Sequence, residues 1–378
     1  MKVAIDARFF GPEGTGIGRY VEKLLENLEK IDHKNDYYIL LKSSNFNLYN
    51  PKSKNFKKVL ADANWYSLKE QILIPRILRK IKPDLVHFCH YNVPFLLPKK
   101  FIVTIYDLTK LEFGREASNI NNRLVYFLKQ MIFEILLRRS VKQARWVIAG
   151  SKTTKEKIVD LLSVEEDRII PIYAGADDFI GRNRKVKQNK EQVRLLNKLN
   201  IKTPFVLYVG NAAPYKNIDV ILESLVYLDQ KISFVYVSAN AKFVEKLQNK
   251  VAILGIKERV VFAGFLSNED LSILYEEALA YIFPSISEGF GLPGLESMAS
   301  GCPVICSNTK VFREVYSDAA LFFDPKNPVE LSQRIKSLIT NNLLKESLIA
   351  KGKKQVEKYS WARLTRETLE VYKKTLSF

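Results

Sequence analysis

Short apolar runs alternate with amphipathic stretches along almost the whole chain of 378 residues. This alternation is typical of α/β domains, in which helices cover a buried, mostly parallel sheet. A chain of this length exceeds one ordinary compact core and suits two domains. The predicted strands of the first half are 2–6, 37–41, 84–88, 101–105 and 146–149. The predicted helices of that half are 18–28, 68–81, 121–142 and 153–162.

A polar, basic stretch over residues 181–192 has almost no apolar side chains, and we interpret it as a linker. A second alternation follows, with predicted strands at 205–209, 233–237, 259–262, 279–283 and 303–306. Its predicted helices are 218–228, 243–253 and 270–278, and the chain after Pro328 is helical nearly to its end. Ligands of parallel sheets bind at the carboxyl ends of the strands, so we expect functional motifs in the strand-to-helix loops.

The formal net charge of +18 calls for an anionic partner. Residues 1–175 hold 30 Lys and Arg against 19 Asp and Glu, so the excess leans to the first half. Basic clusters lie at residues 52–58, 76–82 and 115–145. No nucleic-acid reader motif accompanies them, which disfavours nucleic acid as the partner.

The three cysteines include no CxxC pair, so neither a disulfide scaffold nor a structural zinc site is expected. Cys302 and Cys306 are interpreted as small core residues on a strand, and the compartment as a reducing one. The start of the chain lacks the apolar core of a signal peptide. The most apolar stretch, 124–137, is interrupted by Lys129 and Glu134 and falls short of the roughly 20 residues that a spanning helix needs. We therefore expect a cytoplasmic protein.

A glycine-rich loop follows the first strand, with Gly14, Gly16 and Gly18 ahead of a helix. Glycines let backbone amides approach an anion, and a helix N-terminus adds partial positive charge. The dinucleotide fingerprint requires a glycine where Arg19 stands, and the second strand is followed by Lys42 instead of an acid. The pattern therefore disfavours a dehydrogenase. The glycine-rich loop is as consistent with a structural turn as with a phosphate contact.

A second and more specific motif occupies residues 285–304, after an apolar strand. Three glycines within six residues precede or enter a helix whose first turn begins near Pro293. Their amides offer a cradle for a diphosphate. Glu288 lies before the cradle and Glu296 is predicted in the first turn, so the two carboxylates can hold hydroxyl groups at opposite ends of one ligand. The alternative is a plain loop with one helix-capping Glu.

This segment resembles the signature of the retaining glycosyltransferases of family 4, in which two Glu residues are separated by seven others, as Glu288 and Glu296 are. The resemblance implies the GT-B fold, an α/β architecture of two Rossmann-like domains with mostly parallel sheets facing a central cleft. Residues 1–178 would bind the acceptor and residues 185–355 the nucleotide sugar. A C-terminal helix within 356–378 would return to the first domain. In the family, the first Glu contacts the donor sugar and the second contacts the ribose.

The resemblance extends along nearly the whole chain. The loops around Gly16, Tyr106 and Asp107 are similar to the family's glycine loop and active-site loop, and Lys216 matches the family's phosphate-binding Lys. The catalytic residues implied are Glu288, Tyr106 and Asp107. The implied donor-binding residues are Gly16, Asn211, Lys216, Leu266, Gly289, Phe290, Gly291, Leu292 and Glu296.

Two positions depart from the family pattern. Many relatives carry Arg where Asn211 stands, so Lys216 and the helix N-termini would meet more of the diphosphate charge. Relatives commonly have His-Asp where this chain has Tyr106-Asp107, so a neutral phenol would replace that His. His90 is a second candidate for the substitute, although an isolated His is more often structural.

No Asp-x-Asp triplet follows a strand, so we expect no metal and no cofactor beyond the GDP- or UDP-linked sugar substrate. The family's usual picture is a same-face substitution in which the leaving diphosphate takes the acceptor proton. The predicted function is transfer of a mannose- or glucose-type hexose to a glycan or lipid-linked acceptor. The alternatives are a sugar-nucleotide epimerase on the same fold and a non-enzymatic basic protein that binds a membrane or nucleic acid.

An anionic membrane surface is a further candidate partner. The stretch 123–145 places Leu124, Leu128, Met131 and Ile135 beside Arg138, Arg139, Lys142 and Arg145. Such a basic amphipathic helix is suited to the inner face of a bilayer. An ordinary helix with its apolar stripe in the core explains the pattern equally well.

Overall fold

The computed structural model describes residues 1–11, 15–97, 100–115, 122–179, 188–238 and 244–376. The chain divides into two compact units. The first comprises Met1–Glu112, Asn119–Gly175 and Trp361–Phe378, and the second comprises Phe113–Ser118 and Ala176–Ser360. Within the described ranges, no helix has both the length and the apolar character that crossing a bilayer requires.

The first unit is built on a seven-stranded sheet whose neighbouring strands are all parallel. Its strands are β1 Lys2–Asp6, β2 Asp36–Leu41, β3 Phe56–Leu60, β4 Leu85–Phe88, β5 Phe101–Ile105, β6 Trp146–Ala149 and β7 Ile169–Pro171. Its helices are α1 Thr15–Ile31, α2 Leu68–Ile81, α3 Thr109–Phe113, α4 Arg123–Gln143 and α5 Lys152–Leu162. The strand order is β3-β2-β1-β4-β5-β6-β7, so the order reverses between β1 and β4.

The second unit repeats this plan with a parallel sheet of six strands in the order β10-β9-β8-β11-β12-β13. The strands are β8 Phe205–Val209, β9 Ser233–Val237, β10 Val260–Gly264, β11 Ala280–Phe283, β12 Val304–Ser307 and β13 Ala320–Phe323. The helices are α6 Gln188–Lys198, α7 Asp219–Leu225, α8 Val244–Ile253, α9 Asn268–Glu277, α10 Leu292–Ala299, α11 Lys310–Tyr316, α12 Pro328–Thr340 and α13 Asn342–Val356. Two doubly wound sheets confirm the predicted fold class.

The last helix, α14 (Trp361–Leu376), belongs to the first unit. Its Tyr372 hydroxyl lies 2.7 Å from Nδ1 of His87 on β4, and Nε2 of His87 lies 2.8 Å from the Thr104 hydroxyl on β5. All three side chains are buried. Burial lowers the pKa of His87 to about 3, so this imidazole is neutral and acts as a hydrogen-bonding joint between helix and sheet.

Two predicted boundaries that concern the glycine-rich loop and the linker are wrong. The helix expected from residue 18 begins at Thr15, so Gly16 and Gly18 are helical. The stretch interpreted as a linker is partly helical, because α6 begins at Gln188; residues 181–187 of that stretch lie outside the described residues. A helix that buries little besides Leu195 has the composition of a linker, which explains the error.

Candidate active site

The candidate donor site lies where the strand order of the second sheet reverses. β8 pairs with both β9 and β11, and the loops that leave β8 and β11 at their carboxyl ends start side by side. Such a switch point is the usual ligand crevice of a doubly wound sheet. The loop after β8 carries Asn211 and Lys216, and the loop after β11 carries Glu288.

Lys216 and Glu288 form an ion pair across these two loops, with Nζ 2.6 Å from Oε1. The side chains are 16% and 14% exposed, so the pair is partly withdrawn from water but still reachable. An ammonium group carries three donors and a carboxylate two oxygens, so each of these groups can bond to more than one partner at once. The structure therefore brings together two residues that were predicted separately, one for the diphosphate and one for the sugar.

Asn217 holds the loops that carry this pair, and sequence reasoning did not single it out. Its backbone is left-handed, with φ 54°, and its Nδ2 donates to the carbonyl oxygens of Pro284 at 3.2 Å and Pro325 at 2.8 Å. The Ile286 amide also donates to the Tyr215 carbonyl at 2.8 Å. The loops after β8, β11 and β13 are thereby fixed to one another through backbone groups, which sets the separation of Lys216 and Glu288.

The glycines at the start of α10 are required by Tyr316. Its hydroxyl donates to the Gly291 carbonyl at 2.5 Å, where the chain has φ +100°. A Cβ atom would lie 2.4 Å from that hydroxyl oxygen at Gly291 and 2.3 Å from it at Gly294. Any side chain at either position would displace the phenol. In the first turn of α10, Pro293 has no N–H and the Gly294 amide donates to the Gly291 carbonyl at 3.2 Å, which leaves the Leu292 amide to donate to an anion.

Glu296 was predicted in the first turn of α10, and this prediction is wrong: it is the fifth residue of the helix and lies past that turn. The helix starts directly after Gly291, which moves Glu296 into the second turn. It is only 4% exposed, so this carboxylate is not a solvated helix cap. A carboxylate can accept charge-assisted hydrogen bonds from a ribose diol.

The other predicted donor residues have mixed surroundings. Asn211 Oδ1 accepts from the Ala213 amide at 3.1 Å, so this side chain shapes its own loop. The Phe290 ring lies edge-on to Tyr359, with centroids 5.5 Å apart. Gly289 is buried and Leu292 is half-buried; Leu266 is half-buried as well and follows the end of β10.

In the first unit, Tyr106 and Asp107 follow β5. The Tyr106 hydroxyl is buried and has no hydrogen-bond partner within the described residues. Burial raises its pKa well above the usual range, so the phenol is neutral. Asp107 Oδ1 accepts from the Thr109 amide at 2.8 Å and so caps α3.

His90 packs against Phe9 and Tyr91, with ring centroids 4.7 and 3.7 Å apart. Burial lowers its pKa to about 3, and the positive charges of Lys110 and Arg8 act in the same direction. His90 is therefore a neutral imidazole held by aromatic packing.

The two helical glycines of α1 differ in what they permit. A Cβ at Gly18 would lie 2.1 Å from the Gly11 carbonyl oxygen, so Gly18 allows the loop after β1 to pack on the helix. A Cβ at Gly16 would meet nothing within 4 Å, and its amide lies in the first turn, where amides have no intrahelical partner. Gly14 lies outside the described residues.

A buried charge network at the switch point of the first sheet was not predicted. Arg8, just after β1, pairs with Asp6 at 2.7 Å and Glu70 at 2.6 Å, and Asn92 donates to Glu70 at 2.6 Å. The Asn92 Oδ1 atom has no partner within the described part of the chain. The network fixes the loops that follow β1 and β4. In the same described ranges, no group of three or more His, Cys, Asp or Glu side chains could hold a metal ion.

Comparison with known proteins gives two family matches. Residues 14–178 match the family described as Glycosyltransferase Family 4, and residues 189–355 match Glycosyl transferases group 1. The O-antigen chain mannosyltransferase RfbU of Salmonella typhimurium is 28% identical over 340 residues, which are 87% of this chain and 88% of that protein. O-antigen chain mannosyltransferase B of Escherichia coli is 27% identical over 384 residues, 95% of this chain and 96% of that protein. WaaG, a glycosyltransferase involved in lipopolysaccharide biosynthesis, has the same fold: the TM-score is 0.76 over 98% of this chain and 99% of that chain, at 14% identity.

Proposed function

Because the chain belongs to glycosyltransferase family 4 and has the GT-B fold, we propose that it transfers mannose from a GDP- or UDP-linked donor to a glycan or lipid-linked acceptor, with retention and without a metal ion. The observation that carries this proposal is the Lys216–Glu288 pair at the switch point of the second sheet. Mannose is chosen over glucose because both O-antigen relatives are named mannosyltransferases and cover most of the chain. Family membership favours a transferase over the epimerase and over a non-enzymatic binding protein.

In this proposal the donor occupies the loops after β8 and β11. Lys216 keeps Glu288 and adds a diphosphate oxygen, and the Leu292 amide at the start of α10 takes a further phosphate oxygen. The second oxygen of Glu288 accepts from a sugar hydroxyl, and Glu296 accepts from the ribose. Lys216 and the helix N-terminus would thus meet the negative charge that grows on the leaving diphosphate.

The reaction replaces one bond to the anomeric carbon by another. An acceptor hydroxyl oxygen attacks that carbon from the face that the diphosphate leaves, so the configuration is retained. The bond from the anomeric carbon to the phosphate oxygen breaks with its electron pair, and that oxygen takes the acceptor proton. The products are the glycoside and the nucleoside diphosphate. The protein's part is to hold the partners in line, which lowers the entropic share of the barrier.

Tyr106 supplies a contact for the acceptor in this proposal. Its hydroxyl is neutral, buried and without a partner in the described residues, so an acceptor hydroxyl would satisfy it. A phenol hydroxyl can donate one hydrogen bond and can also accept one. It can therefore orient a sugar hydroxyl without acting as a strong base. Asp107 supports this loop through its cap on α3.

The test is product analysis by mass spectrometry after incubation with GDP-mannose, UDP-glucose and other nucleotide sugars and an acceptor panel. We expect one hexose to be added from a mannose donor. The one-bond coupling between C1 and H1 of the transferred hexose should indicate the same anomeric configuration as in the donor. An inverted product would overturn retention, and loss of activity in EDTA that Mg²⁺ or Mn²⁺ restores would overturn metal independence. Free nucleotide sugar converted to an isomer without an acceptor would favour the epimerase.

A further inference from the structure

Helix α4 is apolar on two opposite faces. Phe133, Leu136, Leu137 and Val141 are buried against the first unit. On the other side, six large apolar side chains are 43–67% exposed. They are Leu124, Phe127, Leu128, Met131, Ile132 and Ile135, and we call them the α4 patch. The buried residues on one face of α4 already form its contact with the core. The exposed residues on the opposite face are therefore not explained by core packing.

The exposed face continues as a basic stripe. Leu124, Leu128, Met131 and Ile135 are followed at the same alternating spacing of four and three by Arg138 and Lys142, which places all six on one side of the helix. Arg138 and Lys142 are exposed. The stripe is therefore apolar over its first three turns and cationic over its last, with no acidic residue along it.

A neighbouring loop extends the apolar surface. Leu96 is 76% exposed and Phe95 is 41% exposed. The Arg139 guanidinium donates to the Phe95 carbonyl at 2.7 Å and lies 4.9 Å from the centroid of the Phe95 ring. This contact joins the loop to the basic end of α4. Contiguous exposed apolar surface of this kind marks a site of interaction.

We propose that the α4 patch docks on an anionic lipid bilayer, with α4 lying in the interface. Apolar side chains would enter the acyl boundary while Arg138 and Lys142 meet lipid phosphates, which is the arrangement of interfacial helices. A second copy of the chain is a poorer occupant, because it carries the same +18 charge and the stripe offers no acidic group to receive it. This inference concerns the surface alone and does not depend on the sugar, the nucleotide or the stereochemistry.

The test is flotation of the full chain with vesicles of phosphatidylglycerol and phosphatidylcholine, compared with phosphatidylcholine alone, at low and high salt. We expect binding to the anionic vesicles at low salt and release at high salt, because exposed charges are screened within about 10 Å at 0.1 M salt. The double variant Arg138→Glu, Lys142→Glu and the double variant Phe127→Ser, Leu128→Ser should each reduce binding at least about tenfold. Leu128→Trp should show a blue shift of its emission with anionic vesicles.

The matched control reverses two exposed basic residues of the same unit that lie on α2, Arg79→Glu and Lys80→Glu. It should keep most of the binding. All variants change exposed side chains, and circular dichroism and melting temperature verify that they fold. If the control lost as much vesicle binding as the α4 variants, the binding would depend on net charge and not on the α4 patch, which would overturn the proposal. Absence of binding at low salt would overturn it as well. A concentration-dependent dimer in sedimentation velocity that Phe127→Ser, Leu128→Ser abolishes would assign the patch to self-association instead.

Discussion

Replacing Glu288 by Gln should tighten binding of the nucleoside diphosphate while lowering turnover. Lys216 Nζ lies 2.6 Å from Glu288 Oε1, so a phosphate oxygen bound to the same ammonium would lie about 4.4 Å from that carboxylate. Two unit charges at that distance repel by about 1 kcal/mol in water and about 4 kcal/mol at an effective dielectric constant of 20. Removing the carboxylate charge relieves this repulsion, so the affinity should rise at least about fivefold.

Turnover should move the other way, because Glu288 would lose its charged hydrogen bond to the sugar. Such a bond contributes about 1.5–3 kcal/mol, so we expect turnover at saturating donor to fall about tenfold or more. Calorimetric titration with the nucleoside diphosphate and initial rates of transfer measure the two effects. Glu346→Gln, an exposed residue on α13, makes the same change in net charge and should alter neither. Weaker diphosphate binding in Glu288→Gln, or unchanged turnover, would refute the assigned roles.

Three further predictions follow from the same structure. Lys216→Met should weaken binding of the nucleoside diphosphate about tenfold or more and leave binding of the nucleoside unchanged, and excess EDTA should not reduce wild-type turnover. Gly294→Ala should lower the free energy of unfolding by about 1–3 kcal/mol in denaturant titrations, because its Cβ would lie 2.3 Å from the Tyr316 hydroxyl; a smaller cost in a Tyr316→Ala background is the check. His87 has a pKa of about 3 when folded and about 6.5 when unfolded, so between these pH values its imidazole binds more protons in the unfolded chain, and stability should fall by up to about 1.4 kcal/mol for each unit by which the pH is lowered. His87→Asn should reduce the slope by His87's share and leave the share of His90, whose pKa is also lowered to about 3; an unchanged slope would contradict the prediction.

The central strands were predictable, and three strands at the sheet edges were not. β1, β4 and β5 are short apolar runs buried on both faces, which is the strongest strand signal in an α/β chain. β3 and β13 lie at the edges of their sheets and are only partly buried, as is β7 at the far edge of the first sheet. An edge strand is covered less, so its sequence can carry weaker apolar patterning; β10, at the other edge of the second sheet, was predicted because its run Val260–Gly264 is apolar despite its partial exposure. Phe56–Leu60, with two Lys in five residues, illustrates this.

The residues proposed to contact the donor were predictable by resemblance, and the residues that position them were not. Lys216 and Glu288 stand in recognisable motifs, yet the distance between them depends on Asn217, whose side chain bonds to carbonyl groups 67 and 108 residues away. Backbone carbonyls leave no trace in the residue type of the accepting position. The same limit hid Arg8, because its partner Glu70 lies on another element and reads in the sequence as an ordinary helix residue.

The glycines of the motif at residues 285–304 have two proposed roles. One is to leave space for the Tyr316 side chain, and the other is to let backbone amides approach a ligand. Gly291 and Gly294 must lack a Cβ because the Tyr316 hydroxyl occupies that space and bonds to the Gly291 carbonyl. This requirement holds with or without a bound diphosphate, so glycine spacing alone is weak support for an anion cradle. The Lys216–Glu288 pair is different, because withdrawing two charges partly from water at a loop surface costs free energy. The pair therefore points to a ligand more directly than the glycines do, and the function is proposed from the pair.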